Sequence, residues 1–430
     1  MEIVPVRHPL RATVRVPGSK SLTNRALLIA ALTNGTTRLV NALFSDDSRY
    51  FANALQTLGF AVQLDEINSE MTVSGHGGKI PAARAELFIG NAGTAARFLS
   101  AFLTLGHGEF ILDGDARMRE RPIRDLVDAL AQLGADVKPF QNSEFRIQNS
   151  EIYLPIKIVA SGLPGGKTNL SGNISSQFLS ALLMVAPYAD APVEIELTTD
   201  LNSKPYVDMT LAIMQDFGVE IERDNYNHFI IHPANYLPIT NYQIESDASA
   251  ASYFFAAPVI CSGTVRVENI SRQSKQGDIA FLDVLKQMGC EVVEGETFIE
   301  VTGASNLRGV DVEMRDIPDT AQTLAVAAPF ASSPTRIRGI ASARLKETDR
   351  VRATCNELTR LGVRVIEHED GLTIFPCDQF IPATVQTYND HRMAMAFSLI
   401  GLRVDGVVIE NPNCVSKTFP NYFDVLEQLR

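Results

Sequence analysis

The chain has 430 residues, 45% of them hydrophobic, and a formal net charge of −12 at pH 7. That length predicts two domains rather than one, each able to bury a large core. The acidic balance speaks against a nucleic-acid surface, which comes with an excess of Lys and Arg, and no apolar run reaches the length of a membrane span.

The opening MEIVPVRHPL has neither a signal-peptide core nor transit-peptide character, which predicts a cytoplasmic protein. VPGSKSLTNRALLIAAL (16–32) reads as a Pro-Gly turn, Ser19 as a cap, and a helix carrying Lys20, Ser21 and Arg25 near its start. GNAGTAARFL (90–99) is a small-residue loop running into a helix, because Ala95, Phe98, Leu99, Phe102 and Leu103 recur at helical spacing. Thr94 is its predicted N-cap, and Gly93, lacking a Cβ, lets a ligand approach the backbone. A helix start of this kind suits an anion, although a loop simply capped by threonine has the same pattern. Arg117, Arg119, Arg121 and Arg124 follow within RMRERPIR (117–124). Four arginines beside such a loop point to a small, highly charged anion, or to a solvated loop paired with Glu120.

SGNISSQFLSALLMVAP (171–187) sets Ser175, Ser176 and Gln177 before an apolar helical run, where neutral donors suit phosphate oxygens or merely cap the helix. DIPDTAQTLAVAA (316–328) places Asp319 after Pro318 at a helix start, where a plain N-cap is the alternative. YNDHRMAMAFSLIGL (388–402) puts His391 and Arg392 at the head of a helix. Cys261, Cys290, Cys355, Cys377 and Cys414 are scattered without a CxxC pair and read as free thiols, and the histidines have no metal-ligand spacing.

A repeat underlies these segments. YFANALQTLGFAV (50–62), LVDALAQLGADV (126–137), LAIMQDFGVEI (211–221), FLDVLKQMGCEV (281–292) and TCNELTRLGVRV (354–365) each read as helix, glycine, strand. The glycines Gly59, Gly134, Gly218, Gly289 and Gly362 stand where a helix C′ residue turns left-handed. YFDVLEQLR (422–430) is a sixth helix without its strand, which Glu2–Val6 can supply. The two chain ends then share one domain, residues 1–18 and 243–430, around an inserted domain, residues 19–242. The first crossing is placed near Pro17–Gly18 and the second between Tyr236 and Ser246, where NYLPITNYQIES has loop composition. Lys or Arg precedes every one of these six helices, in DDSR (46–49), RERP (119–122), SKPY (203–206), SKQG (274–277), KETDR (346–350) and SKTFP (416–420). A cation opposes the helix dipole there, so the pattern predicts anions opposite.

In these motifs, in this order, the sequence resembles the 5-enolpyruvylshikimate-3-phosphate synthase family: PGSKSLTNRALLIAAL, GNAGTAARFL, RMRERPI, SSQFLSALL, SKPYVDMT, DIPDTAQTLA, RLKETDR, YNDHRMAM and SKTFPNYF. The resemblance implies an inside-out α/β barrel of two domains, each with three βαβαββ units. It implies shikimate 3-phosphate contacts at Lys20, Ser21, Arg25, Ser175, Ser176, Gln177, Ser203, Tyr206, Asp319, Ser342 and Lys346. It implies phosphoenolpyruvate contacts at Lys20, Gly93, Arg121, Gln177, Glu347, Arg350, His391, Arg392 and Lys417, with glyphosate competing near Gly93. The chain departs from the family at Ser342, where Asn is usual, and at Ala96-Arg97-Phe98, where the family continues Met-Arg-Pro.

The implied reaction moves the enolpyruvyl group of phosphoenolpyruvate to the 5-hydroxyl of shikimate 3-phosphate by addition and elimination. Asp319 is then the base, Glu347 the acid, and Lys20 and Lys417 stabilise charge on the leaving phosphate. The implied protein is a monomer acting on small molecules, with no metal, cofactor, nucleic acid or membrane partner. Two rivals are a UDP-N-acetylglucosamine carboxyvinyltransferase, whose arginine loop carries a cysteine absent from residues 112–124, and a repeat-built anion-binding module without catalysis.

Overall fold

The computed structural model describes residues 1–140 and 151–430. Its contacts fall into two units, Gly18–Ile244 and Met1–Pro17 with Glu245–Arg430. The first unit holds helices α1 (Lys20–Leu32), α2 (Asp46–Thr57), α3 (Gly93–Phe102), α4 (Arg124–Gln132), α5 (Ser176–Val185) and α6 (Lys204–Asp216). The second holds α7 (Ala248–Cys261), α8 (Phe281–Met288), α9 (Ala321–Ala327), α10 (Arg350–Arg360), α11 (His391–Gly401) and α12 (Tyr422–Glu427).

Odd-numbered helices are apolar nearly all round and are buried, whereas even-numbered ones bury one face. A helix without a polar face must lie inside. In the first unit α3 accordingly packs on α1 and α5, and in the second α7, α9 and α11 pack on one another. The sheets wrap these helix cores, which is the inside-out α/β architecture.

Each complete repeat follows one pairing rule. A strand pairs in parallel with the next one across a buried helix, and two antiparallel strands follow. Arg84–Phe88 pairs with His107–Asp113, and Ile156–Ser161 and Asp136–Pro139 complete that sheet. Gly166–Leu170 heads the next sheet and Asp311–Glu313 heads one in the other unit. The first repeat of the unit Gly18–Ile244 takes its leading strand from the far end of that unit, and that of the other unit takes it from the segment just before the crossing at Pro17. Asn241–Gln243 lies parallel to Asn34–Val40, and Leu10–Arg15 lies parallel to Gly263–Glu268.

The stretch 235–246, read from composition as loop, therefore contains a short strand. Asn241 and Gln243 are exposed and only Tyr242 is buried, so its apolar signal is too thin to show in the sequence. The sixth repeat pairs Thr384–Val385 with Val408–Ile409 and takes its outer strand from the N-terminus. Ile3 N donates to Val407 O at 3.0 Å and Ile409 N to Met1 O at 2.7 Å. The pairing centres on Glu2 and does not run the length of Glu2–Val6.

The repeat glycines are left-handed at every expected position, with φ of 92° at Gly59, 91° at Gly134, 84° at Gly218, 103° at Gly289 and 85° at Gly362. Gly289 separates conformation from sterics, because an added Cβ would make only ordinary van der Waals contacts, with Ala304 Cβ at 3.5 Å, Asn306 O at 3.6 Å and Arg308 Nε at 4.0 Å. Gly289→Ala is expected to lower the unfolding free energy by about 1–2 kcal/mol through its left-handed φ alone, read as a lower urea midpoint at unchanged m-value.

Candidate active site

In the unit Gly18–Ile244 the candidate residues gather where α1, α3 and α5 begin. Ser19 caps α1, accepting from Leu22 N at 3.4 Å. Lys20 Nζ lies 3.6 Å from Asp47 Oδ2 in the first turn of α2, and Asp47 is a residue the sequence did not single out. Arg25, further along α1, is 2% exposed. Its Nη1 donates to Ser21 O and its Nη2 to Tyr206 O, at 3.0 and 3.1 Å. Burial pulls its guanidinium down to about 10.

The start of α3 differs from expectation. Ala92 occupies the cap position, no side chain caps the helix, and Thr94 is its second residue. The Thr94 hydroxyl is engaged across the helix pair instead, accepting from Gln177 Nε2 of α5 at 3.2 Å. A Cβ built on Gly93 would lie 2.5 Å from Arg121 Nη2, so the buried guanidinium rests directly on the glycine. Arg121 Nη1 also donates to Asn91 Oδ1 at 3.1 Å. Arg97, at one of the departures from the family pattern, ties this arrangement together: it donates to Gly93 O and to Pro122 O, both at 3.2 Å.

The four-arginine cluster does not act as one. Arg117 pairs with Glu120 at 2.8 Å, Arg119 with Asp113 at 2.5 Å and Arg124 with Asp128 at 3.2 Å, all partly exposed. Only Arg121 turns inward. The expectation that a cation before each outer helix faces an anionic ligand fails in the same way at Arg49, which pairs with Glu66 at 2.5 Å. A carboxylate of the protein itself answers the charge there. On α5, Ser175 is the cap, accepting from Gln177 N at 3.3 Å, and Ser176 and Gln177 open the first turn. Ser203 is buried and left-handed, with φ of 59°, at the start of α6, and Tyr206 lies in that helix's first turn.

The second unit gathers its residues around Arg350, the first residue of α10, which is 4% exposed. Its Nε donates to Asp390 Oδ2 at 2.8 Å, its Nη1 to Asp319 Oδ1 at 3.1 Å and its Nη2 to Glu347 Oε2 at 2.7 Å. Burial alone would lower the Arg350 pKa, but the three carboxylates hold it above the usual arginine value. Asp319 is no helix cap: its Oδ2 accepts from Arg392 Nη2 at 2.7 Å. The other Glu347 oxygen, Oε1, lies 3.9 Å from Lys417 Nζ. Each of these two carboxylates thus shares Arg350 and has a second cation of its own.

Two contributors were missed in the sequence. Asp390 is fully buried and caps α11, accepting from Arg392 N at 2.9 Å; an Asp directly before a helix head is the signal that pointed to it. Tyr253 of α7 accepts from Arg392 Nη1 at 3.4 Å, and burial pushes its phenol up to about 12, opposed by Arg392. Nothing in the apolar sequence of α7 distinguishes it. His391 is fully buried, its ring 3.6 Å from Asp390 Oδ1. Ser342 sits in the 3-10 turn Ala341–Leu345, and Lys346 follows that turn.

Arg350, Arg392 and Lys417 of the second unit lie against the carboxylates of Asp319, Glu347 and Asp390. Among the described residues no cluster of His, Cys, Asp and Glu is arranged to hold a metal ion. The five cysteines are free, and burial pushes the Cys261, Cys355 and Cys414 thiols up to about 12. Removing Asp390 deprives Arg350 of a buried partner and α11 of its cap. Asp390→Ala is expected to cost about 3 kcal/mol of unfolding free energy, measured by urea denaturation against wild type.

The sequence matches the family described as EPSP synthase (3-phosphoshikimate 1-carboxyvinyltransferase) over residues 4–426. A 3-phosphoshikimate 1-carboxyvinyltransferase of Trichormus variabilis is 49% identical over 418 residues, covering 97% of this chain and 96% of the relative. One from a Sulfurovum species is 48% identical over 427 residues, covering 99% and 98%. Among solved structures, EPSP synthase from Acinetobacter baumannii matches with a TM-score of 0.81 at 25% identity, covering 100% of this chain and 97% of that one.

Proposed function

The chain belongs to the EPSP synthase family, and on that premise we propose how its residues carry out 3-phosphoshikimate 1-carboxyvinyl transfer, a step of aromatic amino-acid biosynthesis. The reaction adds the 5-hydroxyl of shikimate 3-phosphate to C2 of phosphoenolpyruvate while the methylene C3 gains a proton. C3 then loses a proton as the C2–O bond to phosphate breaks, which regenerates the enol ether and releases inorganic phosphate.

The observation that carries the assignment of roles is the pair Asp319 and Glu347, both held on Arg350. A base must be aimed, and Arg350 with Arg392 fixes both oxygens of Asp319, which takes the hydroxyl proton. Glu347 delivers the proton to C3. Arg350, 2.7 Å from Glu347 Oε2, and Lys417, 3.9 Å from Oε1, hold its carboxyl in place for that transfer. Lys417 and Lys20 then balance the charge that develops on the departing phosphate.

Substrate contacts are assigned by charge and position. Lys20, Ser21, Arg25, Ser175, Ser176, Gln177, Ser203, Tyr206, Asp319, Ser342 and Lys346 take shikimate 3-phosphate. Gly93, Arg121, Arg350 and Arg392 take the carboxylate and phosphate of phosphoenolpyruvate, with Gln177 between Thr94 and the ligands. His391, fully buried beside Asp390, belongs to the same phosphoenolpyruvate set. We assign the protein to the cytoplasm as a monomer with small-molecule substrates; no helix of the described residues is long and apolar enough to cross a membrane.

The test is phosphate release with shikimate 3-phosphate and phosphoenolpyruvate together, against either alone and against UDP-N-acetylglucosamine as acceptor. Release only with the first pair is expected; release with the nucleotide sugar instead would overturn the reading. Asp319→Asn and Glu347→Gln are expected to bind both substrates in calorimetric titrations yet turn over about 10²–10⁴ times more slowly. A variant turning over at the wild-type rate would strip that residue of its role. Gly93→Ala pushes a methyl into Arg121 and is expected to raise KM for phosphoenolpyruvate about tenfold or more, while KM for shikimate 3-phosphate stays within about twofold.

A further inference from the structure

Arg25 is held inside the unit Gly18–Ile244 by donors on all three of its guanidinium nitrogens. Its Nε donates to Thr210 Oγ1 at 2.7 Å, its Nη1 to Ser21 O at 3.0 Å, and its Nη2 to Tyr206 O at 3.1 Å and Ser180 Oγ at 3.5 Å. Every acceptor is neutral, and among the described residues no carboxylate pairs with it. A guanidinium has five N–H donors, so one remains, on Nη1. Its carbon lies 5.3 Å from the centroid of the Phe98 ring, and Phe98 is fully buried.

Thr210 is fully buried as well and is fixed in turn: its Oγ1 lies 2.9 Å from both Ser180 Oγ and Tyr206 O. The hydroxyl has one proton to donate, so it accepts from Arg25 while donating to one of these. The Phe98 ring face adds electrostatic support for the cation. Phe98 rides on α3, the helix that begins at Gly93, but it reaches Arg25 rather than Arg121.

We propose that Phe98 and Thr210 are positioning residues for shikimate 3-phosphate: together they orient the Arg25 guanidinium and leave its last donor and its unmatched charge for that substrate. The proposal rests on the assignment of Arg25 to shikimate 3-phosphate. It also reads the departure at Phe98 differently from a change in the phosphoenolpyruvate pocket. A side chain at this position acts on one substrate although its helix start serves the other.

The experiment titrates shikimate 3-phosphate calorimetrically into wild type, Phe98→Leu, Thr210→Val, Thr210→Ser and Arg25→Lys, with thermal melts and steady-state kinetics for both substrates. Phe98→Leu and Thr210→Val are each expected to raise the shikimate 3-phosphate Kd about tenfold. KM for phosphoenolpyruvate should stay within about twofold, and the loss should fall on Kd and KM for shikimate 3-phosphate rather than on kcat. Thr210→Ser, which keeps the hydroxyl, should restore the affinity. Folded Phe98→Leu and Thr210→Val variants with unchanged shikimate 3-phosphate affinity would overturn the proposal, whatever their melting temperatures. So would losses that fall equally on both substrates, or a Thr210→Ser variant no better than Thr210→Val. Unchanged affinity in Arg25→Lys would remove the assignment of Arg25 instead, and a wild type that binds no shikimate 3-phosphate would remove the functional reading itself.

Discussion

Three apolar helices packed side by side at the centre of each unit set everything else. They begin at the same end. Gln177 of α5 meets Thr94 of α3 two residues into each helix, and Arg25 of α1 meets Phe98 of α3 and Ser180 of α5 about one turn later. In the other unit, Ser252 of α7 meets Thr323 of α9 at 3.1 Å, and Gln322 of α9 meets Met393 of α11 at 3.1 Å. Parallel buried helices concentrate free amides and positive dipole ends at one place. Their burial also removes the water that would otherwise screen charge there. An anion site is what such an end is suited to bind, and the candidate residues of both units lie at it.

The same construction supports two different electrostatic solutions. Around Arg350 the unit supplies its own counter-charges, so the arginine holds Asp319, Glu347 and Asp390 together. Around Arg25 the unit supplies hydroxyls, carbonyls and a ring face but no carboxylate. That leaves a buried cation whose best counter-charge comes from outside the protein, which favours binding over chemistry. An acidic chain can carry strongly cation-dependent sites because its excess carboxylates lie elsewhere, many of them pairing surface arginines such as Arg49, Arg119 and Arg124.

The strand exchanges explain why the repeats form closed units. Asn241–Gln243 completes the sheet begun by Asn34–Val40, and Leu10–Arg15 completes the sheet of Gly263–Glu268. The unit Gly18–Ile244 thus ties its first repeat to its opposite end, and the other unit carries the chain across the insertion inside one sheet. The pieces that do so are short and polar or lie near a terminus, yet a whole sheet lacks its edge without them. Met1–Ile3 serves the sixth repeat in the same manner.

The sequence by itself determined the repeat, the helices, the left-handed glycines that end the outer helices and the motif set that carries the family resemblance. These features are written in local spacing: apolar residues at helical intervals, Gly at C′, Ser or Asp before a helix. Local spacing was silent wherever a side chain chose among partners distant in the chain. Arg117, Arg119, Arg121 and Arg124 are chemically alike and adjacent, and only the packing of Gly93 decided that Arg121 turns inward while the others pair at the surface. Thr94 had the chemistry of a cap, but Gln177, 83 residues away, claimed its hydroxyl. Asp47, Tyr253, Asp390 and Thr210 gained their parts from contacts with Lys20, Arg392, Arg350 and Arg25, of which 40 residues separate Asp390 from Arg350 and 185 separate Thr210 from Arg25. A hydrogen bond or ion pair is settled by which donors and acceptors are buried together, and burial at that range is a property of the folded chain alone.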